Sequence, residues 1–112
     1  MADNTFTKDD QLFLTLVLNF QTSAMIGLGK IVNPLTQKAE RNLHEAQFSI
    51  DILNMFANKT KGNLSKDEDD LLKKILTELR LNYIDEVKKE EMEKKEKTEE
   101  DVKKEDKNET AN

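Results

Sequence analysis

The chain has 112 residues, with 23 acids against 18 bases, one His, no Cys and no Trp. That length suits one domain, and a formal charge of -5 argues against a nucleic-acid clamp. The missing Cys excludes a disulfide framework and a thiolate metal site, the single His excludes a zinc centre with three His or Cys ligands, and 3 Gly with 1 Pro exclude a turn-rich β fold.

Charge is concentrated at one end. Residues 85–112 hold 12 acids and 8 bases, whereas residues 1–84 hold 11 acids and 10 bases. The first 84 residues therefore have the charge content of an ordinary globular domain. The last apolar residue that keeps a helical stripe is Val87. The expected organisation is a flexible N-terminus over residues 1–6, a helical domain over residues 7–87 and a charged tail over residues 88–112. Met1-Ala2-Asp3-Asn4 carries no basic segment, so it is not read as a secretory signal, and the cytoplasm is the expected location. Residues 11–29 lack charge over a length that raises the question of a membrane span. Asn19, Gln21, Thr22 and Ser23 would then lie at mid-bilayer depth, which is unfavourable.

The first predicted helix runs from about Lys8 to Lys30. Thr7 is its N-cap, and Asp10 completes a capping-box pattern. Leu12, Phe13, Leu14, Leu16, Val17, Leu18 and Phe20 cover nearly the whole circumference, as in a helix buried on more than one side. Ser23 and Gly27 stand four apart and Gly29 follows. Small residues at that spacing either admit another backbone or fray the helix end. Asn19, Gln21 and Thr22 interrupt the apolar surface and suit either a hydrogen-bonded layer that fixes register or plain exposure.

A connection follows at Val32-Asn33-Pro34-Leu35. Asn33 with Pro34 at the first helical position, or Thr36 one turn later, would start the second helix, which reaches about Lys59. Ala39, Leu43, Ala46, Ile50, Leu53 and Ala57 step by 4, 3, 4, 3 and 4, a heptad seam. Phe48, Ile52, Met55 and Phe56 form a second apolar set on the opposite side. Lys59 and Lys61 suit the carbonyl end of the helix, and Gly62 supplies its left-handed residue.

The third helix begins at the capping box Ser65-Lys66-Asp67-Glu68. Leu71, Leu72, Ile75, Leu76, Leu79, Tyr83 and Val87 make one stripe. Beyond it, pairs such as Glu90/Lys94 and Glu99/Lys103 are in the favourable i, i+4 order. With no stripe left, the tail is expected to fray and lose order by about Lys103.

Several segments together resemble a known family. These are Gln21 through Gly29 (Q-T-S-A-M-I-G-L-G), Ile50-Asp51-Ile52-Leu53, Lys59-Thr60-Lys61-Gly62-Asn63-Leu64, Glu68, Leu71-Leu72 and Leu79-Arg80-Leu81-Asn82-Tyr83. In that order they resemble the small bacterial family called domain of unknown function 1844, over about Phe13 to Tyr83. The resemblance implies an all-helical bacterial protein. It implies no activity, cofactor or catalytic residue, and the charged tail is a departure from it.

Few constellations point to chemistry. Lys59, Lys61 and Gly62 could hold a phosphate or carboxylate, but the Gly follows a helix, where a P-loop requires it before one. A helix C-cap is the plainer reading. Glu40 and His44 at i, i+4, with Glu45 and Asp51 nearby, could reach one metal ion only with help from another helix. A polar edge between two apolar stripes is the plainer reading there too. Asp67, Glu68, Asp69 and Asp70 lack the spacing of a calcium loop and fit the start of a helix. No nucleophile, base and orienting group occur together. No cofactor is implied, and no basic stripe interleaved with aromatics suggests RNA or DNA.

The expected fold is all-α, a small three-helix bundle with a charged, partly disordered C-terminal helical extension. In such a bundle each helix buries about one stripe, yet helices 1 and 2 carry more. The expected role is therefore a non-catalytic, self-associating interaction or scaffold module, a homo-oligomer joined through Phe13, Val17, Phe20, Phe48, Ile52 and Met55. An unidentified protein partner is compatible with this. Two other readings are peripheral membrane association through the apolar first helix, and an enzyme or ligand-binding bundle built on Gln21, His44 and Asp51.

Overall fold

The computed structural model describes residues 6–110, with side chains as far as Lys103. Residues 1–5 of the expected N-terminal segment lie outside the described residues. Three helices follow in order: α1 over Lys8–Gly27, α2 over Leu43–Lys59 and α3 over Lys66–Thr110. The fold is all-α, and the described residues contain one isolated antiparallel bridge, Asn33 with Lys38.

Each helix starts where a side chain satisfies backbone N–H groups that no turn of helix can reach. At α1, the Asp10 N–H donates to Thr7 Oγ1 at 3.1 Å, and the Thr7 N–H donates to Asp10 Oδ2 at 3.0 Å. At α3, the same reciprocal box joins Ser65 and Glu68 at 3.0 and 3.2 Å. At α2, the cap is Asn42, whose Oδ1 accepts the Glu45 N–H at 3.2 Å. The expected starts at Asn33-Pro34 and at Thr36 are thus corrected. Asn33 Oδ1 accepts the Leu35 N–H at 2.9 Å instead, which closes a turn.

Helix α1 stops at Gly27, short of the expected Lys30. Gly29 adopts φ +76, the Gly29 N–H donates to the Ile26 carbonyl and the Lys30 N–H to the Met25 carbonyl, both at 2.9 Å. This paired closure on a left-handed residue is a Schellman motif, and it satisfies the last carbonyls of the helix. The chain then crosses to α2 in irregular form. Ala39, expected in the heptad seam, is exposed and lies outside α2.

The core lies between the three helices. Val17, Ala24 and Leu28 enter from α1 and its end, Ala46, Ile50 and Leu53 from α2, and Leu72, Ile75, Leu76 and Leu79 from α3. Gly27 is what lets α1 and α2 meet. A Cβ at that position would stand 2.7 Å from the Ala46 backbone nitrogen. At the other end Phe56 of α2 lies between Phe13 and Phe20 of α1, with ring centroids at 5.8 and 5.9 Å. Tilted and edge-on aromatic contacts of this kind are favourable. Helix α3, with 45 residues against 17 in α2, takes in the charged tail as far as Thr110. At 1.5 Å per residue it is about 68 Å long against about 26 Å for α2, so it runs well past the bundle.

Candidate interaction surface

Most of the apolar residues that make helices 1 and 2 oversupplied fall into two groups, while Leu18, 43% exposed, lies on the opposite side of α1 from Leu16. Val17 is 2% exposed and belongs to the core, so it has no surface to offer a partner. Phe13 and Phe20 are half-buried and pack against the same core. These three members of the expected interface hold the chain's own helices together, because Phe56 draws that sector of α1 onto α2. Phe48 is the opposite case at 62% exposed, and Met55 is 39% exposed. Ile52 is half-buried between them in sequence.

Leu12 and Leu16 of α1 join this second group, at 54% and 46% exposed. Their helical positions follow from a turn of about 100° per residue. Leu16 lies about 40–60° round from Phe13 and Phe20, on the side away from the core centre. Leu12 lies farther round in the same direction. On α2, Ile52, Phe48 and Met55 lie beyond Phe56 in the corresponding direction. One flank of the α1–α2 pair therefore carries Leu12, Leu16, Phe48, Ile52 and Met55. Exposed apolar side chains gathered on one side mark interaction sites more often than scattered ones do.

A second feature fixes the connection between those two helices. Glu86 of α3 is 4% exposed and holds three cations. Its Oε2 lies 2.9 Å from Lys30 Nζ and 3.1 Å from Lys89 Nζ, and its Oε1 accepts from Arg41 Nε at 3.0 Å. The Arg41 fork continues to Glu93, with Nη1 at 2.8 Å and Nη2 at 3.3 Å from its two carboxylate oxygens. Burial acts to raise the Glu86 carboxyl, but Lys30, Lys89 and Arg41 outweigh it and hold it at about 2. The hydrogen bonds from Arg41 also hold Glu93 below the ordinary carboxylate value. Both ends of the irregular connection, at Lys30 and Arg41, are thereby tied to α3. Between them Leu35 stands 92% exposed and Val32 53% exposed. Glu86 is not among the site residues expected from sequence. The one signal for it is an acid a single heptad after Leu79, in line with Leu72, on the buried stripe of α3.

The Thr60 N–H closes α2 on the Phe56 carbonyl, so Thr60 is the cap, and Gly62, expected there, stands two residues beyond it with φ +86 in the turn that the Asn63 N–H closes on the Thr60 carbonyl at 2.8 Å. Lys61 and Gly62 border an open cleft with Lys66 and Lys73, and Lys73 is paired with Asp69 at 2.7 Å. Lys59 is not part of that cleft's lining. His44 is exposed, and Asp51 accepts from Gln47 Nε2 at 2.7 Å. Asp51 borders a shallow groove of about 230 Å³ between α2 and α3, with Arg80 and Tyr83 on the other wall. Gln21 and His44 are not in that lining. Among the described residues no three His, Asp or Glu side chains stand close enough to hold a metal ion. No helix among them is long and apolar enough to cross a membrane.

Residues 10–85 match the family described as Domain of unknown function (DUF1844), and the chain belongs to that family. No curated protein and no solved structure matches it.

Proposed function

We propose that this family member is a non-catalytic interaction module of the bacterial cytoplasm that self-associates through the outer flank of α1 and α2. The supporting observation is the part of the apolar surface that stays in water on one side of α1 and α2 after the bundle has closed on itself, apart from exposed residues elsewhere such as Leu18, Leu81 and Ile84. Leu12, Leu16, Phe48 and Met55 are all more than a third exposed, and by helical position they share one flank with Ile52. Burying such side chains contributes roughly 1.5–3 kcal/mol each when complete, enough to favour a second surface over solvent. The non-catalytic part of the proposal draws on the groove that Asp51 borders, whose lining includes neither Gln21 nor His44.

The test is sedimentation velocity on the wild-type chain and on Phe48→Asp. Phe48 is 62% exposed, so the substitution leaves the core intact. Wild type should sediment as a dimer or larger and the variant as a monomer with unchanged helical circular dichroism. A wild-type chain that stays monomeric up to about 100 µM is the result that overturns the proposal, since association is driven by concentration.

A further inference from the structure

The orientation in which two copies meet can be read from the ends of the exposed row on α2, given the self-association proposed above, on which this inference rests. Glu45, Phe48, Ile52, Met55 and Lys59 step by 3, 4, 3 and 4, which makes one narrow row along the helix. Its middle is apolar. Its first position is an acid and its last a base, about 21 Å apart at 1.5 Å per residue. Neither Glu45 nor Lys59 forms an ion pair within the chain among the described residues. Both are exposed.

We propose that the partner covering this row is a second copy of the chain, docked with α2 antiparallel to α2 about a two-fold axis through Ile52. In that arrangement Glu45 stands opposite the partner's Lys59 at each end of the contact. Parallel pairing would set Glu45 on Glu45 and Lys59 on Lys59, with like charges at both ends. An interface between identical copies that closes on itself must be self-complementary about its axis, and this charge pattern is so only when antiparallel.

The packing of α1 agrees with the same register. Phe56 lies between Phe13 and Phe20, so Leu16, midway between those rings in sequence, is level with Phe56. Phe56 is one turn from the axis on one side, and the partner's Phe48 is one turn from it on the same side. The partner's Phe48 therefore arrives at the level of Leu16, which is 46% exposed. Two of the most exposed apolar side chains of the flank cover each other, and the two-fold axis repeats the contact.

The experiment uses charge reversal in the full chain, with Glu45→Lys and Lys59→Glu studied singly and as an equimolar mixture by analytical ultracentrifugation. Circular dichroism checks that each variant folds. Each single reversal places two like-charged pairs in the homodimer and should raise its dissociation constant at least about tenfold. The mixture should recover wild-type dimerisation. When one copy carries Glu45→Lys and the other Lys59→Glu, the two reversed charges face each other at one end and attract, and the native pair remains at the other. Dimers that tolerate both reversals, or a mixture no tighter than its components, overturn the antiparallel register while leaving self-association standing. A wild-type monomer overturns the self-association proposal as well, and leaves the flank to a different protein or a lipid surface.

Discussion

Replacing Glu86 by Gln removes the charge that ties the α1–α2 connection to α3 and keeps the side chain's shape. The carboxyl is held at about 2 where its ordinary value is 4.5. A displacement of that size contributes about 3 kcal/mol to folding at neutral pH. Lys30 and Lys89 keep 32% and 56% of their side-chain surface in water. Solvent screening on that side reduces the expected figure to about 2 kcal/mol. The loss is limited further because Lys30 and Lys89 can turn outward when the carboxylate is gone. A carboxyl whose folded value is depressed contributes its full stabilisation above the ordinary value near 4.5 and loses it as pH falls toward about 2. Urea denaturation at pH 7 should therefore show Glu86→Gln less stable by about 2 kcal/mol with an unchanged slope, and the gap should close between about pH 5 and pH 2. A loss under about 0.5 kcal/mol at pH 7 would refute the reasoning. So would a gap that stays constant across that pH range.

Two further substitutions separate competing effects. Gly27→Ala gains about 1 kcal/mol of helix propensity, but its Cβ would meet the Ala46 backbone nitrogen at 2.7 Å. Backbone cannot step aside as a flexible side chain can, so the variant should lose about 1–3 kcal/mol in thermal denaturation, and a raised melting temperature would show that the helices part easily. Gln37 holds φ 58 in the turn that the Asn33–Lys38 bridge closes. Gln37→Gly should stabilise the chain by about 0.5–1 kcal/mol by relieving the left-handed conformation, and a destabilised variant in the same melt would contradict that reading.

Capping chemistry makes much of this fold legible from the residues. Ser65-Lys66-Asp67-Glu68 and Thr7 with Asp10 are local signals that need no tertiary information, and both boxes are formed. The start of α2 is not legible, because the same chemistry offers too many choices. Asn33, Thr36 and Asn42 are all competent caps, and only the folded chain decides that Asn33 closes a turn while Asn42 caps the helix. The end of α1 differs from expectation because Gly29, which the sequence leaves open to close approach or fraying, terminates the helix with a φ of +76. The surface is half legible. An α1 that is apolar all round does not say which sector faces inward. The Phe13, Phe20 and Phe56 rings settle it, turning Phe13 and Phe20 toward the core and leaving Leu12 and Leu16 outside. Glu86 is hidden in the sequence because it falls at the start of the charge-rich residues 85–112 and reads as one of their many acids. Here it continues the buried face, since Lys30 and Arg41 reach it from the preceding connection.

Self-association through the α1–α2 flank is tested most directly by light scattering on a size-exclusion column. The run covers a concentration series and compares the full chain with one truncated after Lys97. That cut keeps Glu86, Lys89 and Glu93 with their partners. Both chains should give the same oligomer, because the flank lies wholly on α1 and α2. Monomers of both at every concentration would contradict this, and so would an oligomer that disappears when the tail is removed.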